Sequence, residues 1–111
     1  MEYTLKVYET HNGAQPLMDW LRNLRDQKSR TTIRMRLDRM KLGNFGHCEP
    51  VGEGVSEMKI DLGPGYRVYF GMIGRTIVLL LCGGDKKSQD KDIRMALDFF
   101  RDHKKREKDN G

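Results

Sequence analysis

Residues Ser56 to Lys87, SEMKIDLGPGYRVYFGMIGRTIVLLLCGGDKK, decide the fold. The stretch predicts three β-strands joined by two turns. In the first of them Met58, Ile60 and Leu62 alternate with Glu57, Lys59 and Asp61. In the next, Tyr66, Val68 and Phe70 alternate with Arg67, Tyr69 and Gly71. Successive strand residues point to opposite faces, so the sheet is expected to have one dry face and one polar face open to water or a polar ligand. For the dry faces to coincide, Lys59 must lie opposite either Arg67 or Tyr69. Gly63 and Gly65 in LGPG suit a turn that needs positive φ. The third strand, TIVLLLC, is apolar on both sides, which predicts an interior position. GGDKK follows it, and its two glycines are read as a sharp turn that delivers Lys86 and Lys87 beside the polar face.

Outward from this stretch, YTLKVYET at Tyr3–Thr10 alternates as a half-buried strand. Pro16 suits a helix start, and Leu17, Trp20, Leu21 and Leu24 follow at helical spacing. A second helix is expected from about Lys28 to Leu42, ending at Gly43, with Ile33, Leu37 and Met40 as its apolar stripe. Asp38 is placed to pair weakly with Arg34. Arg36 and Arg39 lie off the stripe, either as a phosphate-binding surface or as part of an ordinary solvated face. GNFGHCEPVGEG reads as a connecting loop. A third helix opens at Ser88 or Asp90 and carries Ile93, Ala96, Leu97 and Phe100 on one side. The expected order is β-α-α-β-β-β-α, an α+β domain with helices on a small twisted, mainly antiparallel sheet. One domain is expected over residues 1–104, with a charged, frayed tail over 105–111.

The 111 residues leave room for one core and little more. The chain carries 21 Lys and Arg against 16 Asp and Glu, a net charge of +5, which points to a polyanionic partner such as nucleic acid. No apolar run is long enough for a membrane span, and no secretory leader is evident, so a cytoplasmic home is expected. Cys48 and Cys82 have no metal-ligand spacing, and no His, Cys and carboxylate cluster does. No metal and no small-molecule cofactor is therefore expected. His47 and His103 read as surface histidines.

GNFG, SEMKIDLGPGYRVYF and LLLCGGDKKSQDKDI, with PLMDWLRNL and RLDRMKLGNFG before them, resemble the phage-derived addiction-module killer proteins. These are HigB-like members of the RelE/ParE toxin superfamily, and the resemblance spans nearly the whole chain. It implies the toxin of a type II toxin-antitoxin module, held inactive by a cognate antitoxin, usually a helix-turn-helix protein. Many relatives enter the ribosome and cut mRNA without a metal; the ParE branch instead inhibits DNA gyrase and cuts nothing. On the nuclease reading, Lys59 matches a strand lysine of the RelE-type enzymes and Arg67 the arginine of their YR motif. Lys86 or Lys87 lies near a further basic position. No tyrosine follows the last strand, where several RelE-type toxins place a catalytic one, so gyrase inhibition stays as the alternative.

Metal-free RNA cleavage needs a base for the 2′-hydroxyl, a cation for the phosphorane and an acid for the leaving 5′-oxygen. Arg67 is the expected phosphate clamp, because its planar fork matches two phosphate oxygens. Lys59 is the expected base and Glu57 its rival. Lys86 or Lys87 would be the acid or a second clamp, and Tyr69 a surface on which a base could stack.

Overall fold

The computed structural model describes residues 1–110. The elements run β1 (Thr4–Val7), α1 (Pro16–Asn23), α2 (Gln27–Lys41), β2 (Cys48–Gly52), β3 (Val55–Ile60), β4 (Tyr66–Ile73), β5 (Ile77–Asp85) and α3 (Gln89–Asn110). The fold is α+β, with three helices on one mixed five-stranded sheet of order β1-β5-β4-β3-β2. β1 pairs parallel with β5; every other pairing is antiparallel. β5 is interior, as its two apolar sides require.

One strand more than expected is present. β2 lies inside the stretch read as a loop and pairs with β3, Cys48 opposite Met58. Glu53 (φ 49°) and Gly54 (φ 84°) fold the chain back between the two strands. Pro50 donates no backbone hydrogen bond, yet β2 is an edge strand and tolerates it.

The first face of the sheet is dry. Leu17 and Leu21 of α1 and Ile33, Leu37 and Met40 of α2 pack on Met58, Ile60, Val68, Phe70, Val78 and Leu80. Asp26 caps α2 by accepting from Lys28 N at 3.2 Å. Asp38 pairs with Lys41 at 3.3 Å, not with Arg34; both groups are exposed.

The second face is not open to water. α3 packs across it, and Ala96 and Phe100 bury against Tyr8, Val55, Tyr69, Leu79, Leu81 and Cys82. The third helix had to cover an apolar stripe of its own, and the remaining sheet face receives it. Gly83 and Gly84 lie within β5, not in a turn, and neither has positive φ. A Cβ at Gly83 would collide with the Trp20 ring, and one at Gly84 with the Asp92 carboxylate. Glycine is needed there because a side chain approaches each face of the strand. A bulge at Leu81 shifts the register: Tyr69 faces Cys82 while Phe70 faces Leu80. Of the tail expected to fray, 105–111, residues 105–110 continue α3, where Arg106 donates to the Glu9 carbonyl at 2.6 Å and to Asp102 at 2.6 Å, and Gly111 lies outside the described residues. Among the described residues no helix is long and apolar enough to cross a membrane.

Candidate functional site

A cleft of about 510 Å³ opens where the C-terminal half of α2, the loop before β2 and the adjoining ends of β3 and β4 meet. Arg36, Arg39, His47, Lys59, Asp61 and Arg67 line it, together with Asn44, Gly46, Ile60, Gly65 and Tyr66. Four fixed positive charges thus face one acid, Asp61. Such an excess of one sign in a concave wall draws anions.

Backbone geometry seats the cations. Lys59 and Arg67 are directly opposite each other across the β3–β4 ladder, one of the two registers expected. Gly65 (φ 77°) closes the turn between these strands, and its carbonyl accepts from Arg67 Nη1 at 2.6 Å. A Cβ at Gly65 would lie 3.0 Å from the same nitrogen. Gly46 (φ 63°) lets the loop lie against the Arg36 guanidinium, where a Cβ would collide. The strand that sequence reading missed supplies a bridging carboxylate. Glu49 of β2 accepts from Lys59 Nζ at 3.2 Å and meets His47 Nε2 at 3.2 Å. The Lys59 ammonium, then His47, holds the Glu49 carboxyl below the usual carboxylate range.

Arg67 is only 8% exposed, so its guanidinium is part of the interior as well as of the cleft wall. Below it Glu57, 1% exposed, accepts from Tyr69 Oη at 3.0 Å and from Gln89 Nε2 at 2.8 Å. Tyr69 is fully buried beneath α3 and has no free ring face for a nucleobase, contrary to expectation. Burial, then the Glu57 charge, pushes its phenol far above the usual range. Glu57 likewise lies under the cleft wall and is not one of its lining residues.

Of the residues singled out in the sequence, the structure brings Arg36, Arg39, Lys59 and Arg67 into one cleft. Lys86 is exposed and does not line the cleft but lies at its margin beside the lining residue Gly65, and its backbone N–H donates to the Pro64 carbonyl at 3.4 Å. Lys87 is exposed too, its N–H held by Asp85 Oδ1 at 2.9 Å, and does not line the cleft. His47, Glu49 and Gln89 were missed as contributors. Alternation of His47 and Glu49 was a usable signal, masked by the glycines and the proline around them. Nothing in the sequence pattern marks Gln89. At the other end of α3, His103 is largely buried and burial holds its imidazole below the usual range.

No family model matches the chain. An uncharacterized protein of Haemophilus influenzae Rd is 46% identical over 77 residues, a match that covers 69% of this chain and 78% of that protein. The chain belongs to the same family as that Haemophilus influenzae protein.

Proposed function

We propose that the protein is the toxin of a type II toxin-antitoxin module, a HigB-like member of the RelE/ParE superfamily acting in the cytoplasm as a ribosome-dependent mRNA endoribonuclease. The observation that carries this reading is the pairing of Lys59 with Arg67 in a cleft that also holds Arg36 and Arg39. The α+β fold, with β-α-α-β-β-β-α as expected and one edge strand, β2, added, is compatible with this reading. Arg36 and Arg39 hold phosphates flanking the cut, and Arg67 neutralises the phosphorane. Lys59, once it has left Glu49 and given its ammonium proton to solvent, takes the proton from the 2′-hydroxyl as the neutral amine, and the 2′-oxygen attacks phosphorus. The bond to the 5′-oxygen breaks, and Lys86 at the margin gives that oxygen its proton. The products are a 2′,3′-cyclic phosphate and a 5′-hydroxyl. Glu57 suits the base role less, because Tyr69 and Gln89 already donate to it and α3 covers it. The ribosome aligns the mRNA for in-line attack, so free RNA is cut slowly or not at all. A helix-turn-helix antitoxin holds the toxin inactive by meeting the basic cleft with acidic side chains.

The test is induction in growing bacterial cells with and without the neighbouring antitoxin gene. The expected result is growth arrest, transcripts cut within translated regions, and intact DNA. An induced DNA-damage response with uncut transcripts would replace this reading with gyrase inhibition.

A further inference from the structure

A buried polar cluster underlies the cleft and reaches it through one side chain. Glu57 Oε2 accepts from Tyr69 and from Gln89, the first residue of α3, and lies 3.8 Å from Arg67 Nε. That nitrogen is buried and has no hydrogen-bond partner, while Nη1 is held by the Gly65 carbonyl. The guanidinium is therefore fixed on one side by a backbone carbonyl and faced on another by a carboxylate. The carboxylate is itself immobilised by two neutral donors from different elements. A planar fork binds a phosphate well only when its plane is set in advance.

We propose that Glu57 and Gln89 are positioning residues for Arg67: the Gln89 amide fixes the Glu57 carboxylate, and the carboxylate sets the plane of the guanidinium that meets a phosphate in the cleft. This rests on the reading of the cleft as a phosphate site. It assigns α3 a part in recognition although α3 contributes no residue to the cleft lining. It also makes a prediction opposite in sign to simple electrostatics. Glu57 subtracts positive potential from the cleft, so Coulomb's law alone says that neutralising it tightens anion binding. Positioning says that neutralising it weakens binding.

The probe is a fluorescein-labelled single-stranded RNA of about ten nucleotides, long enough to span the four cationic groups, read by anisotropy on the full chain at fixed salt. Glu57→Gln and Gln89→Ala are each expected to weaken binding about tenfold, the lower range for outer partners that orient a ligand. In an Arg67→Ala background neither should have a further effect, because they act through Arg67. Melting curves identify any variant that has lost its fold. A second reading is independent of RNA: the ¹⁵N spectrum of the Arg67 Nε–H. Gln89→Ala should shift and broaden that signal. Tighter binding by Glu57→Gln, or equal losses with and without Arg67, would overturn the proposal. So would an unchanged Arg67 Nε–H signal in Gln89→Ala. If the wild type does not bind the RNA, the phosphate reading fails by itself, and the spectrum still decides whether Gln89 sets Arg67.

Discussion

The two faces of the sheet are packed by helices to a similar depth but on different terms. Under α1 and α2 the contact is apolar: Leu17, Ile33, Met40, Met58, Val68 and Val78 are wholly buried with no charged group among them. Under α3 the same sheet buries Glu57, Arg67 and Asp92 beside Tyr69, Leu81 and Phe100. The first face is what the hydrophobic effect alone would choose. The second keeps charges where apolar residues would be at least as stable. Of these charges only Arg67 reaches the wall of the basic cleft, and Glu57 lies 3.8 Å behind it.

The contrast can be broken at its strongest point. Leu21→Ala on the first face removes a side chain that is 1% exposed and should cost about 3–4 kcal/mol, read as a loss of unfolding free energy in urea. A loss below about 1 kcal/mol would mean that the face repacks freely. Gly83→Ala drives a methyl into Trp20 and should cost about 2–3 kcal/mol. A neutral result would show that glycine there is not required by packing. On the second face, Tyr69→Phe keeps the ring and removes one of the donors to Glu57. It should cost about 1–2 kcal/mol, less than the apolar deletion, because Gln89 still donates.

The smallest effect has the opposite sign. Burial lifts the Asp92 carboxyl above its usual range, against the pull of the Ser88 hydrogen bond. A raised folded pKa means that the charged form is disfavoured in the folded state. The penalty is full above the raised value, shrinks as pH falls through it and vanishes below the unfolded value of about 3.9. Asp92→Asn should therefore melt slightly higher than the wild type at neutral pH, with the gap closing as the pH falls. A variant that melts lower at neutral pH, with the deficit vanishing in acid, would show that the charge contributes to folding.

The first face was legible because alternation in β3 and β4 and the 3.6-residue stripes of α1 and α2 name the same residues that meet. The second was not. Glu57, Arg67 and Tyr69 are polar by type, and alternation sorts residues by type. Only mutual pairing and the donor Gln89, which no periodicity marks, permit their burial. The stripe Ile93, Ala96, Leu97 and Phe100 was itself a statement that some face must be covered. Gly83 and Gly84 were misread because glycine frees a turn and admits a close neighbour with equal ease. β2 was hidden by Pro50 and by the glycines around it. In the cleft, Lys59 and Arg67 were legible from strand parity. Glu49 and His47 became visible only with the extra strand in place.

The most direct measurement is mRNA cleavage in a purified translating system, mapped by primer extension with wild type and Arg67→Lys. Lysine keeps a cation over Glu57, so the fold should survive, while the two-pronged contact to phosphate is lost. The proposed nuclease should cut ribosome-bound mRNA as the wild type and at a rate at least about a hundredfold lower as Arg67→Lys, with melting curves that nearly coincide. Uncut mRNA with the wild type, or full activity in a folded Arg67→Lys, would contradict this reading.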